Sequence, residues 1–248
     1  MTNAAFLTLS HCEHLLKYTK RAAALTAAAA SAALILAASP AAQAKHITVA
    51  LSGAFTTLDS YDSPDTITKA VARAVYEGLF TLDKDMNPVP LLAEGFERSA
   101  DGLTYTVRLK KGVQFHDGTE FDAEAVKLNF DRVLRPNSGL TRRAIYTFID
   151  TVKVVDKYTV QFTLKYPHGG FIRRLAMNNT MMVCPCLIKA DGGNKAGLAL
   201  KSCGTGPYIQ EEFNPSERFV VKKNPTYRIT GLPKLDGFTF IPVPENST

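Results

Sequence analysis

The sequence predicts a mixed α/β fold in which β-hairpins interrupt an outer α/β frame. Strand and helix patterns alternate from residue 46 onward, first as a period-two segment at 46–51 and then as a helical pattern after Asp65. Between residues 94 and 164, strong turn sequences separate pairs of alternating segments, as is typical of hairpins. Hydrophobic residues make up 46% of the 248 residues, which is sufficient for a packed core. Together these features favour an α+β or mixed α/β domain.

The first elements of the frame are a strand, a helix and a second, shorter strand. Residues 46–51 alternate between apolar and polar side chains, which indicates a strand. Asp65 can accept hydrogen bonds from the free N–H groups at the start of a helix, and apolar residues at helical spacing continue this helix to about Tyr76. Gly78 ends the helix, and residues 79–82 form a short strand.

The middle of the chain contains two hairpins with an amphipathic helix between them. The first hairpin turns at Ser99-Ala100-Asp101-Gly102, and Asp122 caps a helix that continues through Leu134. The paired segments of the hairpins are 94–98 with 104–109 and 152–155 with 160–164. A helical stretch at 171–176 and strands that follow residue 208, at 219–222 and at 238–242 complete the prediction.

The first 44 residues have the three parts of a secretory signal peptide in the correct order. A basic region holds Lys17, Lys20 and Arg21, and an uncharged, alanine-rich run continues from Ala22 to Leu36. The small-residue pattern Ala42-Gln43-Ala44 then fits a signal peptidase. A transmembrane helix is the alternative, but the run is weakly hydrophobic and is followed by a proline. We therefore expect cleavage after residue 44 and a mature, soluble chain that begins at Lys45 outside the cytoplasm, in the periplasm of a bacterium with two membranes.

Composition and motifs exclude several classes of function. The formal net charge of +6 is spread without a basic run, so a nucleic-acid partner is not expected. No acid/base pair, nucleophile elbow or glycine-rich phosphate loop occurs, and Gly204-Thr205-Gly206-Pro207 is too short for dinucleotide binding. We therefore expect a protein that is not an enzyme and that uses no cofactor.

The cysteines after the signal peptide allow three interpretations. Cys203 forms a disulfide with Cys184 or with Cys186, which suits an oxidising compartment. Alternatively, the three thiols remain free and buried. A soft metal site with His116 or His168 is the third interpretation, but Cys-Pro-Cys does not have the spacing of a zinc pair, so no metal site is predicted.

Several segments occur in a characteristic order: Thr57-Leu58-Asp59, Tyr76-Glu77-Gly78-Leu79, much of 92–132, Gly204-Thr205-Gly206-Pro207-Tyr208, and Gly231-Leu232-Pro233-Lys234-Leu235-Asp236. In these segments the chain resembles the family 5 extracellular solute-binding proteins, which are receptors of peptide and nickel importers. Within the family, Phe55-Thr56-Thr57-Leu58-Asp59, Gly78-Leu79-Phe80 and Leu82-Asp83-Lys84 resemble the glutathione-binding receptors most closely.

The resemblance implies a periplasmic binding protein fold with two lobes, a ligand enclosed at their hinge, and an extra subdomain in lobe I. It implies that 45–85 is the first segment of lobe I, that 86–200 is the inserted hairpin-rich subdomain, and that 201–248 is the return segment of lobe I. On this basis we expect only the first lobe, truncated before lobe II, and therefore only weak ligand binding by this chain. The full-length receptor would be a monomer that delivers its ligand to the permease subunits of an ABC importer.

The resemblance also indicates which residues face the ligand. They lie in the loop after the first strand, in the segment before and at the start of the first helix, at the end of that helix, and in an amide-rich segment: Thr57, Asp59, Asp62, Asp65, Thr66, Tyr76, Glu77, Asn178 and Asn179. For Asp65, a role as the helix cap is the preferred interpretation. The expected ligand is a peptide or glutathione, whose buried amides need hydrogen-bond partners. A nickel-chelate receptor of the same family and a secreted hydrolase domain are the alternatives.

Overall fold

The computed structural model describes residues 45–190 and 196–243. The predicted signal peptide lies outside the described residues. Ten strands are described: β1 (His46–Leu51), β2 (Phe80–Leu82), β3 (Pro88–Pro90), β4 (Ala93–Arg98), β5 (Thr104–Leu109), β6 (Ile149–Asp156), β7 (Thr159–Leu164), β8 (Tyr208–Asn214), β9 (Arg218–Lys223) and β10 (Gly237–Pro242). The α-helices are α1 (Thr66–Ala72), α2 (Ala123–Leu134), α3 (Phe171–Leu175), α4 (Pro185–Ala190) and α5 (Ala196–Leu200), and a 3-10 helix spans Arg143–Tyr146.

The first and last strands of the described chain lie side by side. The frame sheet has the order β1-β10-β9-β8, with β1 parallel to β10 and the other neighbours antiparallel. His46 pairs with Gly237, so the sheet depends on contacts between the two ends of the described chain. One face of this sheet packs on α1 in a core that includes Val71, Phe219 and Val221.

The predicted hairpins form a second, fully antiparallel sheet. Its order is β4-β5-β7-β6, and the short strands β2 and β3 pair separately. In β5 the side chains of Val107 and Leu109 are buried while Arg108 is exposed, because alternate residues point to opposite faces. The amphipathic helix α2 covers the buried face and places Phe130 against Phe162, with 4.9 Å between the ring centroids.

The two cores divide the chain at slightly different places from the expected bounds of 86–200. The pairing of β2 with β3 crosses the expected boundary after residue 85. Ile188 of α4 and Leu198 of α5 pack in the core of the frame sheet, although both fall within the expected insertion. These short helices and β3 were not predicted, since none is long enough to show a clear hydrophobic period.

Most predicted elements are confirmed, but α1 ends earlier than expected. The helix ends at Ala72, with Arg73 as its C-cap, and not near Tyr76. The carbonyl groups of Ala74 and Val75 instead accept hydrogen bonds from the N–H groups of Tyr208 (3.0 Å) and Gly206 (3.0 Å). The carbonyl groups of Ala74 and Val75 therefore bond to residues 206–208 and not to N–H groups of a longer helix.

Within residues 45–190 and 196–243, no helix is long and apolar enough to cross a membrane.

Candidate functional site

A cleft beside α1 has a volume of about 560 Å³. This falls within the range of about 300–1,000 Å³ that is typical of small-molecule sites. Its walls come from α1, the turn between β2 and β3, the start of the 3-10 helix, and α3 with the residues that follow it. We call it the basic cleft, because four of its lining residues are cationic: Lys69, Arg73, Arg142 and Arg174.

The cations of the basic cleft come from three separate parts of the chain. Lys69 and Arg73 are four residues apart at α1, so they lie on the same side of it. Among the described residues that line the cleft, Asp83 is the only carboxylate. Burial lowers the pKa of Lys69, and the nearby guanidinium of Arg142 lowers this pKa further. The cleft therefore carries an excess of positive charge that favours an anionic ligand.

Arg142 is held in place by the segment that precedes α1. Its Nε donates to the carbonyl oxygen of Ser63 at 2.9 Å, and its Nη2 donates to the carbonyl oxygen of Pro64. The carboxylate of Asp62 accepts hydrogen bonds from the N–H (3.0 Å) and the hydroxyl (2.8 Å) of Thr141. Asp62 thus positions the backbone from which Arg142 extends.

Two polar atoms of the basic cleft are buried without a hydrogen-bond partner among the described residues. They are Nε of Arg174 and Oδ1 of Asn179. Buried polar groups are almost always paired, and an unpaired one costs about 1–3 kcal/mol. One of these atoms is a donor and the other an acceptor, and both belong to residues that line the basic cleft.

The predicted ligand residues divide into those that line the basic cleft and those that do not. Thr66, Asn178 and Asn179 line it. Asp65 caps α1, because its carboxylate accepts from the N–H of Thr68 at 2.5 Å and from the hydroxyl of Ser63 at 3.0 Å. Burial alone would raise the pKa of Asp65, but these hydrogen bonds outweigh it and lower the pKa.

Asp59 and Thr57, which were expected to face the ligand, are both buried. Asp59 has no solvent-exposed surface, and its carboxylate forms a salt bridge with the buried guanidinium of Arg132. It also accepts from the N–H of Tyr61 at 3.1 Å. The hydroxyl of Thr57 accepts from the N–H of Asp59 at 3.1 Å. Both side chains therefore support the loop and do not line the basic cleft.

Tyr76 and Glu77 likewise have structural partners. Glu77 is 6% exposed, and its carboxylate accepts from the hydroxyls of Thr205 (2.9 Å) and Tyr227 (2.9 Å) and pairs with Arg228 at 2.5 Å. Tyr76 is buried, which raises the pKa of its hydroxyl. Both border only a small pocket of about 30 Å³ next to the basic cleft. Glu77 joins the segment that follows α1 to Thr205, Tyr227 and Arg228.

The four cations of the basic cleft were not predicted from the sequence. Lys69 and Arg73 have ordinary helical spacing, and Arg142 and Arg174 stand beside other arginines in Arg142-Arg143 and Arg173-Arg174. Nothing in their local sequence distinguishes them from surface charges. These four cations differ from ordinary surface charges only because they line the same cleft in the folded chain.

The cysteines form a disulfide between Cys184 and Cys203, and Cys186 keeps an exposed free thiol. His116 is not available for a metal, because its Nε2 lies 3.0 Å from the carbonyl oxygen of Gly206 and its Nδ1 accepts from the N–H of Gly204 at 3.3 Å. His168 instead packs on Phe148, with 4.4 Å between the ring centroids. The metal site with a histidine ligand that was considered above therefore does not form.

The chain is similar to known transport proteins in sequence. The family profile described as "Bacterial extracellular solute-binding proteins, family 5 Middle" matches residues 87–248. The glutathione-binding protein GsiB of Salmonella paratyphi A is 46% identical over 213 residues, which cover 86% of this chain and 41% of that protein. The chain thus spans less than half the length of this relative.

Solved structures show a similar fold. The oligopeptide-binding protein AppA from Bacillus subtilis, in complex with a nonapeptide, has a TM-score of 0.74 and 27% identity, over 80% of this chain and 40% of AppA. The periplasmic binding protein AgaA from A. tumefaciens R10, in complex with agropinic acid, has a TM-score of 0.73 and 28% identity, over 80% of this chain and 40% of AgaA. The described fold is therefore that of one part of a periplasmic binding protein.

Proposed function

This chain belongs to the bacterial extracellular solute-binding proteins of family 5, and we propose that it is the first lobe of a periplasmic receptor for peptides, glutathione in particular. The receptor would deliver its ligand to the permease subunits of an ATP-driven importer in the inner membrane. The observation that carries this proposal is the basic cleft, whose lining residues include four cations and the two residues, Arg174 and Asn179, that each hold an unpaired buried polar atom.

The chemistry of the basic cleft matches that of glutathione. Glutathione carries two carboxylates, one ammonium group and two amide bonds at neutral pH. Guanidinium groups bind carboxylates through paired hydrogen bonds, so Arg174 and Arg142 suit its carboxylates. The carboxylate of Asp83 can pair with its ammonium group, and the amides of Asn178 and Asn179 can bind its peptide bonds.

Comparing glutathione binding by the wild-type chain and by a variant that lacks Arg174 tests the proposal. We expect Arg174→Met to weaken glutathione binding by about tenfold or more, because a charge-assisted hydrogen bond contributes about 1.5–3 kcal/mol. Methionine keeps most of the apolar stem of the arginine. The matched control is Arg218→Met on β9, which removes the same charge at an exposed position and should leave binding unchanged. Binding is measured by NMR chemical-shift titration, which also detects weak complexes.

A ligand panel separates the proposal from its alternatives. Glutathione should raise the melting temperature, and its diethyl ester, which lacks both carboxylates, should raise it less. Stabilisation by a nickel chelate and not by peptides would favour the nickel receptor. Hydrolysis of an added peptide would favour the secreted hydrolase. Equal binding of glutathione by wild type and Arg174→Met would contradict the role given to the basic cleft.

Export through a cleaved signal peptide is part of the same proposal. The backbone nitrogen of Lys45 donates to the carboxylate of Asp236 at 2.8 Å, and the N–H of Asp236 donates to the carbonyl oxygen of Lys45 at 3.0 Å. Cleavage after Ala44 would turn the nitrogen of Lys45 into a charged amine that faces this carboxylate. Mass spectrometry of the exported protein should find Lys45 as its first residue, and a retained apolar run would contradict this expectation.

A further inference from the structure

Three cysteines and one aspartate lie close together outside the basic cleft. The sulfurs of Cys184 and Cys186 are 3.8 Å apart. The ligand atoms of Asp117, Cys184 and Cys186 all lie within 4.8 Å of one another, and the thiol of Cys186 is hydrogen bonded to the carboxylate of Asp117. Cys203 is joined to Cys184 by the disulfide. We call these four residues the cysteine cluster.

Backbone hydrogen bonds tie together the three segments that carry the cysteine cluster. The N–H of Cys184 donates to the carbonyl oxygen of Cys203 at 2.8 Å, and the N–H of His116 donates to the carbonyl oxygen of Gly204 at 2.8 Å. Asn129 also fixes the backbone of the residue before Cys184, since its side chain forms hydrogen bonds with both the N–H and the carbonyl oxygen of Val183. The positions of the four side chains therefore do not depend on the disulfide alone.

One distance in the cysteine cluster matches that between two ligands of a tetrahedral metal ion. Zinc–thiolate bonds are about 2.3 Å long, which places two sulfurs of a tetrahedral site about 3.8 Å apart. Cys184 and Cys186 already have this separation. Three sulfurs and one carboxylate oxygen supply the four ligands that zinc takes in a closed site. In the oxidised chain, however, the disulfide occupies the sulfurs of Cys184 and Cys203.

We propose that reduction of the Cys184–Cys203 disulfide turns the cysteine cluster into a zinc site, with Cys184, Cys186, Cys203 and Asp117 as ligands. A dithiol reductant supplies the two electrons and two protons that break the sulfur–sulfur bond, and it leaves as its own disulfide. Zinc then displaces the protons of the three thiols to solvent. The site is thus present only in the reduced chain, so zinc binding depends on the redox state.

Zinc titration of the oxidised and the reduced full chain tests this proposal. The full chain carries Cys12→Ser in every sample, so that the thiol of Cys12 does not contribute. We expect the reduced chain to bind one zinc ion per chain, measured by competition with a chromophoric chelator under anaerobic conditions. Substitution by cobalt should produce thiolate-to-cobalt charge-transfer bands and the spectrum of a tetrahedral ion. The oxidised chain should show neither.

Two variants separate zinc binding from loss of the disulfide. Cys186→Ser keeps the disulfide, and we expect its reduced form to bind zinc at least about tenfold more weakly. Cys184→Ser with Cys203→Ser lacks the disulfide and should not bind zinc stoichiometrically. Circular dichroism shows whether each reduced chain is folded. Stoichiometric binding by the oxidised chain, equal binding by reduced wild type and Cys186→Ser, or a reduced chain that zinc neither binds nor refolds would each overturn the proposal.

Discussion

At the level of single residues, we expect the buried ion pair of Asp59 and Arg132 to contribute strongly to the free energy of unfolding. The side chains of Arg132 and Asp59 are 1% and 0% exposed, so neither charge is solvated by water. Breaking a buried pair by removing one partner typically costs about 3–5 kcal/mol, because the remaining charge stays buried. The carboxylate of Asp59 therefore stabilises the fold through its pair with Arg132.

Asp59→Asn should lower the free energy of unfolding by about 3–5 kcal/mol. Urea denaturation of both proteins at neutral pH measures the difference. The matched control is Glu97→Gln, which removes the carboxylate of the exposed pair between Glu97 and Arg108. That change should cost no more than about 1 kcal/mol. Equal losses in the two variants would show that burial does not decide the contribution of Asp59.

Asp65 makes the stability of the chain depend on pH in the acidic range. Its pKa is lowered from 3.8, so the folded state favours the ionised carboxylate. This stabilisation is present above the unfolded pKa and is lost as the pH falls through the lower, folded pKa. Asp65→Asn should keep most of the cap at neutral pH, since asparagine also caps helices. Urea midpoints at about pH 6 and about pH 3 should differ less for this variant than for wild type. An unchanged difference would contradict the role of Asp65.

For the secondary structure elements, the contact between the end of α1 and residues 204–206 decides where the helix stops. A Cβ at Gly204 would lie 2.2 Å from the carbonyl oxygen of Val75, and one at Gly206 would lie 2.6 Å from its carbonyl carbon. Real Cβ atoms do not approach backbone so closely. The glycines of this segment therefore permit the backbone hydrogen bonds that join it to 74–76, next to Glu77.

Gly204→Ala should destabilise the fold by about 1–3 kcal/mol, because the added methyl group forces two backbone segments apart. Gly169→Ala is the control, since a Cβ there would meet nothing within 4 Å. Thermal and urea unfolding of the two variants give the comparison. A Gly204→Ala protein as stable as the control would show that the two segments separate without cost.

For the whole molecule, the described chain presents an open cleft on one lobe. Receptors that close around a ligand exclude water from it, and each side supplies part of the contacts. If an intact receptor binds at micromolar level, about −8 kcal/mol, half of that free energy corresponds to millimolar binding. A ligand on an open surface also competes with water for its hydrogen bonds.

We therefore expect residues 45–248 alone to bind glutathione with a dissociation constant of about millimolar. Calorimetry at high ligand concentration, combined with NMR titration, measures it. Light scattering and circular dichroism establish that the sample is monodisperse and folded. A micromolar constant from such a sample would show that this lobe is sufficient for tight binding.

The predictions from sequence succeeded where the signal is local. The caps at Asp65 and Asp122, the hairpin turn at 99–102 and the alternation along β5 each depend on residues a few positions apart, and the structure confirms all four. The position of Asp59 in the loop before a helix could also be predicted from local sequence. Its partner Arg132 was not, because the pair joins distant residues.

By itself, the sequence determined the order and type of most elements and the family resemblance. These depend on periodicity, turn chemistry and short motifs, which are properties of neighbouring residues. Only the tertiary structure decided which polar residues line the basic cleft and which form buried ion pairs. Lys69, Arg142 and Arg174 come from distant parts of the chain and line one cleft, whereas the carboxylates of Asp59 and Glu77 are buried against arginines. A buried charge is costly unless an opposite charge lies next to it in space, and the residue that supplies this opposite charge can be far away in the sequence.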